Sequence, residues 1–590
     1  MPRMKKIKAI RKLWQHFLEN ERVQLSKPDA PMHLALVGLI TGFLAGGVII
    51  LFRKIVETIQ DKILPGTGSE NYEGLNAWGH FLLPVTGGIL LAVIFYLYST
   101  RVLRVLGVAK VIDRLTYHQG YFSIRGFLLQ FFGAAIAIIC GHSVGREGPH
   151  VYLGASISSL FAQSISLPNN SMRTMVACGA AAGIAASFNT PLAGMLFALE
   201  VVMMEFSVAS FIPIMMASVV ASSMSTYVFG SEPAFAIDVQ GLDSLKQLPI
   251  IIVLGVSVGA VAALMNHLLE NISKQTRQID IWWKLCAAGV ITGICSIFEP
   301  SIMGVGYDTM DTLLRNPETF AVTALISLVA FKLVATSFCV GLGVPAGMIG
   351  PAFIIGAGIG AIAGMTVGFT SGWATSHIAF YALLGMGAMV GASLQAPLAA
   401  LTAILELTYN PGIIMPGMLT IIVAQLTSRV VFKKESLFIT MLRSNEQDYQ
   451  VNPVSQTLQH IGVASVLKKS FTRSTRVITR SRAEDIIKSD IEWIVLSENG
   501  APTRVFPTAD LAKYLSLSVE DLNEIDLIEI PGGRLHLDPI SLQKNLYQAH
   551  QKFEAGAEAL FVVFKENEAT DQSRIYGILV PDMVTAAYRI

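Results

Sequence analysis

Residues 145–149 read Gly-Arg-Glu-Gly-Pro, and residues 347–351 read Gly-Met-Ile-Gly-Pro. A second pair follows in the same order. Ser-x-x-x-Pro-Leu-Ala occupies 187–193 and recurs at 393–399, and a Leu-Glu dipeptide comes after each copy. One such pair can arise by chance, but two pairs with similar separations indicate an internal repeat. The sequence therefore predicts two related halves of one fold.

Each Gly-Pro motif has the chemistry of a helix start that faces a ligand. Its glycines let the backbone come close to a bound group, and its proline suits the first helical turn, where a missing N–H costs nothing. The runs that follow, 151–161 and 352–363, are predicted helices. Their free N–H groups and positive dipole ends attract anions. Two converging termini would hold an anion weakly, as conduction requires.

The composition excludes an ordinary soluble protein. Of the 590 residues, 52% are hydrophobic and only 14% are charged, and the mean hydropathy is +0.55, whereas soluble domains carry about 25% charged residues. The net charge of +1 gives no sign of a nucleic-acid partner.

The five cysteines stand singly, which predicts buried thiols rather than disulfides or a metal site.

Apolar stretches of helix length follow one another from 32 to 432. Several are long enough to span a bilayer, but many are interrupted by Gly and Pro. Such breaks are tolerated only where protein or a water-filled cavity surrounds the helix. We therefore expect an all-α polytopic membrane core at 32–445, with repeat halves near 32–235 and 245–445 and a binding site at the midplane between them.

The two ends of the chain differ from this core. Residues 1–31 are predicted to form a cytoplasmic amphipathic segment, because lysine and arginine crowd its start and positive charge stays inside. Residues 446–590 combine frequent charges with short β-rich runs and helical patterns, which indicates a soluble α/β tail. Both termini are then cytoplasmic, and the unpaired cysteines and missing targeting peptide fit a bacterial inner membrane.

Glu147 is the most informative single residue, because a carboxylate at membrane depth is expensive and seldom present without a use. At an anion site it is a tethered competitor, and it leaves when it is protonated. That makes it a gate and a proton acceptor in one group. The alternative is a salt bridge between Glu147 and Arg146 that caps the helix.

In these motifs the chain resembles the CLC family of anion channels and proton-coupled anion exchangers. Residues 145–149 look like its GREGP element, 347–351 resemble its GIFAP element, and Phe-Asn-Thr-Pro-Leu-Ala-Gly at 188–194 resembles the segment after its central helices. The likeness covers nearly all of 32–445. It implies two inverted-topology halves with broken helices, embedded in membrane lipid, and one anion pore in each subunit of a homodimer.

The resemblance assigns roles to individual residues. Glu147 matches the external gating glutamate. The groups that match the anion-holding backbone belong to Gly145, Arg146, Gly148, Met348 and Ile349. Leu106 and Gly107 stand where the family usually has Ser-Gly, and Phe438 stands where it places its pore tyrosine. Both side-chain hydroxyl donors to the anion are therefore absent. Each hydrogen bond to a charged group contributes about 1.5 to 3 kcal/mol. The site then relies on backbone amides, and its preference among small inorganic anions stays open.

A further departure from the family concerns the transport mechanism. In its exchangers an internal glutamate follows the position of Glu200, but here Val201 occupies that place and cannot carry a proton. The resemblance thus favours passive anion conduction, with chloride as the permeant ion and protonation of Glu147 as the gate. A chloride/proton antiporter remains the alternative, because some exchangers of the family lack that internal glutamate and because Glu205 is close enough in sequence to substitute.

Three other signals have competing interpretations. Gly-His-Ser-Val-Gly at 141–145 matches a hydrolase nucleophile elbow, but it ends an apolar helix rather than a strand, so no enzyme activity is predicted. Lys332 either raises the positive potential along the anion path or neutralises a nearby carboxylate. Glu200 and Glu406, at equivalent points of the repeat, are expected to make structural contacts at helix ends.

The tail resembles a pair of CBS modules, at 463–511 and 538–582. Such pairs often bind adenine nucleotides. However, Pro507 stands where the first module would need a hydroxyl, and the second module is shortened at 580–582. A structural dimerisation module is therefore expected, with an adenine nucleotide as the alternative ligand, and no tightly bound cofactor is predicted.

Overall fold

The computed structural model of the chain describes residues 25–26, 31–66, 70–98, 106–235, 241–242, 244–371, 376–444, 453–498, 501–517, 523–564 and 575–587. Within these ranges the chain forms two compact units. The membrane unit contains the described residues of 34–162 and 173–449, and the tail unit contains the described residues of 1–33, 163–172 and 450–590. Apart from residues 25, 26 and 31, the predicted amphipathic segment at 1–31 lies outside the described residues.

Seventeen α-helices precede the soluble tail in the described ranges. The first eight are α1 (Pro31–Ile63), α2 (Ala77–Tyr98), α3 (Val108–Tyr117), α4 (Ile124–Ile139), α5 (Glu147–Ser164), α6 (Asn169–Phe188), α7 (Pro191–Phe197) and α8 (Val208–Phe229). The other nine are α9 (Leu248–Gln275), α10 (Ile281–Phe298), α11 (Tyr307–Arg315), α12 (Val322–Gly341), α13 (Ile349–Ser371), α14 (Ser376–Leu394), α15 (Pro397–Thr408), α16 (Ile414–Leu426) and α17 (Leu437–Ser444).

Short turns of other helical types join or extend these elements. π-helical turns lie at Ala198–Met203 and Thr427–Val431, and 3-10 turns lie at Leu245–Gln247, Pro300–Ile302, Pro317–Thr319 and Pro411–Ile413. Within the described ranges, eight helices are long and apolar enough to cross a membrane. Some of these spans include the neighbouring 3-10 or π-helical turns. Other helices are too short to span it, so the predicted membrane core with broken helices is confirmed.

The two halves repeat their backbone irregularities as well as their sequence motifs. α5 and α13 both begin inside a motif, with proline in the first turn, and α7 and α15 both begin at proline. Left-handed residues recur at equivalent points, Asn189 with Gln395 and Met204 with Tyr409. Because residues other than glycine seldom adopt positive φ, this recurrence supports the predicted repeat.

Close helix packing follows the same symmetry. α5 crosses α6 where Gly154 faces Gly179, and α13 crosses α14 where Gly356 faces Gly385. A Cβ on any of these four glycines would clash with the carbonyl oxygen of the facing residue. Small residues at such crossings let helix backbones approach, which is the usual way for helices to associate in a membrane.

The tail unit is an α/β structure. Its helices are α18 (Pro453–His460), α19 (Val463–Val466), α20 (Arg480–Lys488), α21 (Thr508–Leu517), α22 (Leu546–Glu554) and α23 (Pro581–Ala587). Its strands are β1 (Phe471–Ser474), β2 (Val477–Thr479), β3 (Trp493–Glu498), β4 (Ala501–Pro507), β5 (Glu524–Asp526), β6 (Leu535–Ser541), β7 (Ala559–Val563) and β8 (Gly577–Leu579).

Two similar modules share the main sheet of the tail. The strand order is β1-β3-β4-β6-β7-β8, and β2 pairs with β5 in a separate two-stranded ribbon. β1 runs parallel to β3 with α20 between them in sequence, and β6 runs parallel to β7 with α22 between them. This repeated strand-helix-strand arrangement is consistent with the predicted pair of CBS modules.

Candidate anion pathway

The two sequence motifs meet as a short antiparallel bridge. The Gly145 N–H donates to the Gly347 carbonyl at 2.6 Å, and the Gly347 N–H donates to the Gly145 carbonyl at 2.7 Å. A Cβ on Gly347 would lie 2.5 Å from the Gly148 nitrogen, and one on Gly145 would clash with the Glu147 carboxylate. The glycines are therefore needed for close approach. This bridge uses the Gly145 N–H, so that group is not free to contact an anion as predicted.

Glu147 lies beside this bridge and is completely buried. Its two carboxylate oxygens have different donors. The Tyr307 hydroxyl donates to Oε1, and the Gly350 N–H, in the first turn of α13, donates to Oε2 at 3.2 Å. The negative charge of the first half thus sits at the positive end of a helix from the second half, which stabilises it.

Arg146 points to a different partner. Its guanidinium is 3.9 Å from the Glu57 carboxylate and 4.7 Å above the centre of the Tyr307 ring. The alternative of a capping salt bridge between Arg146 and Glu147 is not what the structure contains, because the ion pair of Arg146 is made with Glu57.

A narrow cavity of about 20 Å³ is lined by residues of both motifs. Six predicted site residues line it: Leu106, Gly107, Gly148, Met348, Ile349 and Phe438. Its other lining residues are Val108, Ala109, Val340, Ala346, Gly347 and Met441. A volume of this order holds one water molecule or one small ion. None of these side chains carries a hydroxyl, so backbone groups are the only polar atoms that the lining residues offer.

Gln130 is a residue that the sequence analysis missed. Its side chain is buried in α4, where it accepts the Gly107 N–H at 2.9 Å and donates to the Pro345 carbonyl at 2.8 Å. It therefore ties the loop before α3 to the second motif and uses the Gly107 amide. A lone amide inside an apolar helix is the signal that would have indicated it.

A wide cavity of about 580 Å³ is lined by Arg146 of the first motif. Its lining includes two arginines, Arg53 and Arg146, and five carboxylates, Glu57, Glu70, Glu232, Asp308 and Asp311. Tyr307 also lines it. Tyr307 was not predicted, although Gly304-Val305-Gly306-Tyr307 after an apolar run is a recognisable helix start. Tyr307 therefore both lines this cavity and donates its hydroxyl to the buried Glu147 carboxylate.

Glu200 and Glu406, which occupy equivalent positions of the repeat, each accept hydrogen bonds from the opposite half. The Glu200 carboxylate accepts the N–H groups of Leu398, at 3.3 Å, and Ala399, at 2.8 Å. The Glu406 carboxylate accepts those of Leu192, at 2.9 Å, and Ala193, at 2.8 Å. Each glutamate thus caps the N-terminus of α15 or α7 from the opposite half, in agreement with the expected contacts at helix ends.

The predicted position of an internal proton acceptor is apolar. Val201 is only 3% exposed and belongs to a buried hydrophobic cluster. Glu205 follows the π-helical turn and the left-handed residue Met204, and its N–H donates to the Leu199 carbonyl at 3.1 Å. Glu205 is half-buried.

Lys332 is buried inside α12. Its Nζ donates to the Ile302 carbonyl at 2.8 Å and the Gly304 carbonyl at 3.1 Å. The ammonium group therefore fixes the loop that leads to Tyr307.

The hydrolase-like motif at residues 141–145 forms the loop from α4 to α5. It therefore does not lie between a strand and a helix, as a nucleophile elbow would.

In the tail, Asp510 follows Pro507 by three residues within the first CBS-like module. It lies 4.0 Å from the Arg534 guanidinium, which also sits 4.4 Å from the centre of the Phe506 ring. Burial lowers the pKa of Arg534, and Asp510 partly offsets this effect. Asp510 therefore already has a cationic neighbour within the tail.

Comparison with known proteins gives a consistent result. Residues 87–429 match the family profile described as voltage gated chloride channel. The chain is 29% identical over 421 residues to a chloride channel protein CLC-f from Arabidopsis thaliana, which covers 65% of this chain and 52% of the plant protein. It is 28% identical over 439 residues to a putative chloride channel protein ClcB-like from Ralstonia nicotianae. That match covers 72% of this chain and 99% of the Ralstonia protein. The chain thus spans about half the length of the plant relative.

Two solved structures show the same fold. A slow cyanobacterial Cl⁻/H⁺ antiporter matches with a TM-score of 0.60 and 22% identity, over 73% of this chain and 99% of that chain. A eukaryotic CLC transporter matches with a TM-score of 0.56 and 16% identity, over 96% of this chain and 98% of that chain. At such identities the likeness concerns the fold alone.

Proposed function

Because this chain belongs to the voltage-gated chloride channel family, we propose that it conducts small inorganic anions, chloride first among them, and that protonation of Glu147 opens the path. The position of the Glu147 carboxylate supports this proposal. It accepts the Gly350 N–H at the start of α13, where a helix N-terminus attracts an anion. The carboxylate thus fills an anion position with its own charge.

Protonation removes that charge, so the carboxyl group loses its attraction for the helix terminus and a mobile anion replaces it. The next position along the path is the narrow cavity. There the anion meets the backbone around Gly148, Met348 and Ile349 among apolar side chains. Weak binding without hydroxyl donors suits passage, because a conducted ion must leave as readily as it arrives.

The wide cavity would supply the protons in this scheme. Its five carboxylates outnumber its two arginines, and a cleft rich in negative charge concentrates cations, including protons. We place this cavity on the outer face, because Glu147 matches the external gating glutamate of the family. Acidification of the outside should then increase anion flux.

Passive conduction is proposed ahead of antiport because of the residues around Val201. Exchangers of the family usually carry a second proton acceptor on the path. Val201 is apolar and buried, and both oxygens of the neighbouring Glu200 are bonded to amides of α15. Glu205 is the carboxylate that would have to serve if protons were exchanged.

For the assembly, we propose a homodimer in a bacterial inner membrane with both termini in the cytoplasm. The tail would act as a dimerisation module rather than a nucleotide sensor, since Pro507 replaces a hydroxyl and Asp510 already faces Arg534. Calorimetric titration of the purified protein with ATP should then show no heat of binding. Saturable binding would instead assign the tail an adenine nucleotide.

Flux from chloride-loaded proteoliposomes tests the main proposal. Chloride efflux and external pH are recorded together, with valinomycin present, over a series of acid to neutral pH values. We expect efflux that rises as pH falls without coupled proton movement, and efflux independent of pH in Glu147→Gln, where the neutral amide mimics the protonated acid. Proton uptake driven by a chloride gradient at a fixed ratio would establish antiport and direct mutagenesis to Glu205.

A further inference from the structure

Tyr307 contacts the proposed gate directly and has no assigned role. Its hydroxyl donates to the Glu147 Oε1, while the Gly350 N–H holds Oε2. One carboxylate oxygen is therefore held by a side chain and the other by a helix terminus. Glu147 is completely buried, whereas Tyr307 lines the wide cavity.

The Tyr307 side chain is fixed in place from several directions. Its ring packs 6.0 Å from the Phe188 ring and 6.2 Å from the Phe235 ring, centre to centre. The Arg146 guanidinium lies 4.7 Å from the ring centre. With a cation on one face and aromatic rings at its edges, the phenol has little freedom to turn away from Glu147.

The backbone of Tyr307 is fixed as well. Its N–H donates to the Glu70 Oε2 at 3.0 Å, and the preceding Gly306 has a φ of 84°. A Cβ on Gly306 would meet Ile354 Cδ1 at 2.5 Å. The Lys332 ammonium anchors the carbonyls of Ile302 and Gly304 just upstream. The loop thus presents the hydroxyl in a set position before any anion arrives.

We propose that Tyr307 is a positioning residue that latches the ionised Glu147 carboxylate in its blocking position. The inference rests on the proposed function of Glu147 as a proton-sensitive gate. A hydrogen bond to an ionised acceptor is about twice as strong as one between neutral groups. The latch therefore favours the charged, blocking form, and it weakens when Glu147 gains a proton.

The charged and titratable groups near the latch all remain in a Tyr307→Phe variant. They are Arg53, Glu57, Glu70, Arg146, His150, Asp308 and Lys332. Because the substitution removes the hydroxyl and keeps the ring, it changes one donor and leaves the surrounding charges in place. Any change in gating can then be attributed to the hydrogen bond.

The test is chloride efflux from proteoliposomes as a function of pH. Without the hydroxyl, the ionised carboxylate loses a donor, so protonation requires less acid. We expect the midpoint of activation in Tyr307→Phe to move to higher pH by about one unit, since one pH unit corresponds to 1.36 kcal/mol. Tyr152→Phe is the matched control, because Tyr152 is a buried tyrosine of the same helix as Glu147, packed on Phe122. Its midpoint should stay at the wild-type value.

Two further variants keep the outcomes distinct. In Glu147→Gln, addition of Tyr307→Phe should have no effect on the pH profile. An unchanged midpoint in Tyr307→Phe, with flux independent of pH in Glu147→Gln, would overturn the latch and leave the gate intact. Persistent pH dependence in Glu147→Gln would instead refute the proposed function itself.

A chemical substitution covers the case in which Tyr307→Phe does not fold. Incorporation of 3-fluorotyrosine at position 307 keeps the ring and makes the phenol a stronger donor. The midpoint should then move to lower pH, opposite to the effect of phenylalanine. A shift in the same direction as phenylalanine, or no shift, would contradict the latch.

Discussion

The two halves of the membrane unit begin a helix within each Gly-Pro motif but carry different side chains at one decisive position. Glu147 in the first motif corresponds to Ile349 in the second, and the two motifs are joined through Gly145 and Gly347. Glu147 is bonded to a tyrosine and to a helix terminus, whereas Ile349 lines the narrow cavity as part of a hydrophobic cluster.

Elsewhere the halves keep matching side chains. Glu200 and Glu406 each cap a helix of the opposite half through two amide hydrogen bonds. The comparison suggests a simple division. Residues that obey the repeat build the scaffold, and Glu147, which departs from it, is the residue that takes up the proton in the proposed function.

The largest expected effect comes from removing the difference between Glu147 and Ile349, the equivalent residues of the two motifs. Glu147→Ile gives the first motif the apolar residue of the second and removes the group that takes up the proton. We expect chloride efflux to become independent of pH, because no ionised carboxylate competes with the anion. Liposome efflux across a pH series measures this. Ile349→Val, the equivalent apolar position, is the control and should keep the wild-type pH profile, so a flat profile there would show that the asymmetry is not the cause.

A smaller effect is expected from restoring hydroxyl donors to the narrow cavity. Leu106→Ser or Phe438→Tyr adds one hydrogen bond to a bound anion, and we expect chloride to bind about ten- to a hundredfold more tightly. Calorimetric titration with chloride in detergent, in the Glu147→Gln background, measures the affinity. Leu106→Ala removes the same bulk without a hydroxyl, and equal tightening in that variant would attribute the change to space rather than hydrogen bonding.

The smallest effect should come from the symmetric glutamates. Glu200→Ala and Glu406→Ala each leave two amides at a helix start without their acceptor, which costs about 0.5 to 2 kcal/mol, as for other N-caps. Thermal unfolding should show similar losses for the two variants and smaller ones for the Gln substitutions. The pH midpoint of efflux should not move. If only Glu200→Ala altered that midpoint, Glu200 would belong to a proton path, and the division between scaffold and chemistry would fail there.

Much of this arrangement could be predicted from short stretches of sequence. The Gly-Pro motifs predict helix starts because glycine and proline act on the backbone around them, and α5 and α13 begin where expected. The six predicted residues of the narrow cavity come together in the structure. Their role in binding anions stays a prediction.

Other features depend on residues far apart in the chain. Tyr307 and Glu147 are separated by 160 positions, and Gln130 and Pro345 by 215. No local pattern links such partners, because their contact exists only once both halves have packed. The partner of Arg146 is likewise Glu57 on α1, and not the adjacent Glu147 that sequence proximity suggested.

The sequence by itself determined the membrane core, its repeat, the helix starts in the two Gly-Pro motifs and the acidic residue among them. These follow from hydropathy and from local backbone chemistry, which are written in neighbouring residues. Only the tertiary structure decided which donors hold the Glu147 carboxylate, which amides are already used and which side chain connects it to the lining of the wide cavity. A hydrogen bond depends on distance and direction in space, and these are fixed by the packing of the two halves against each other.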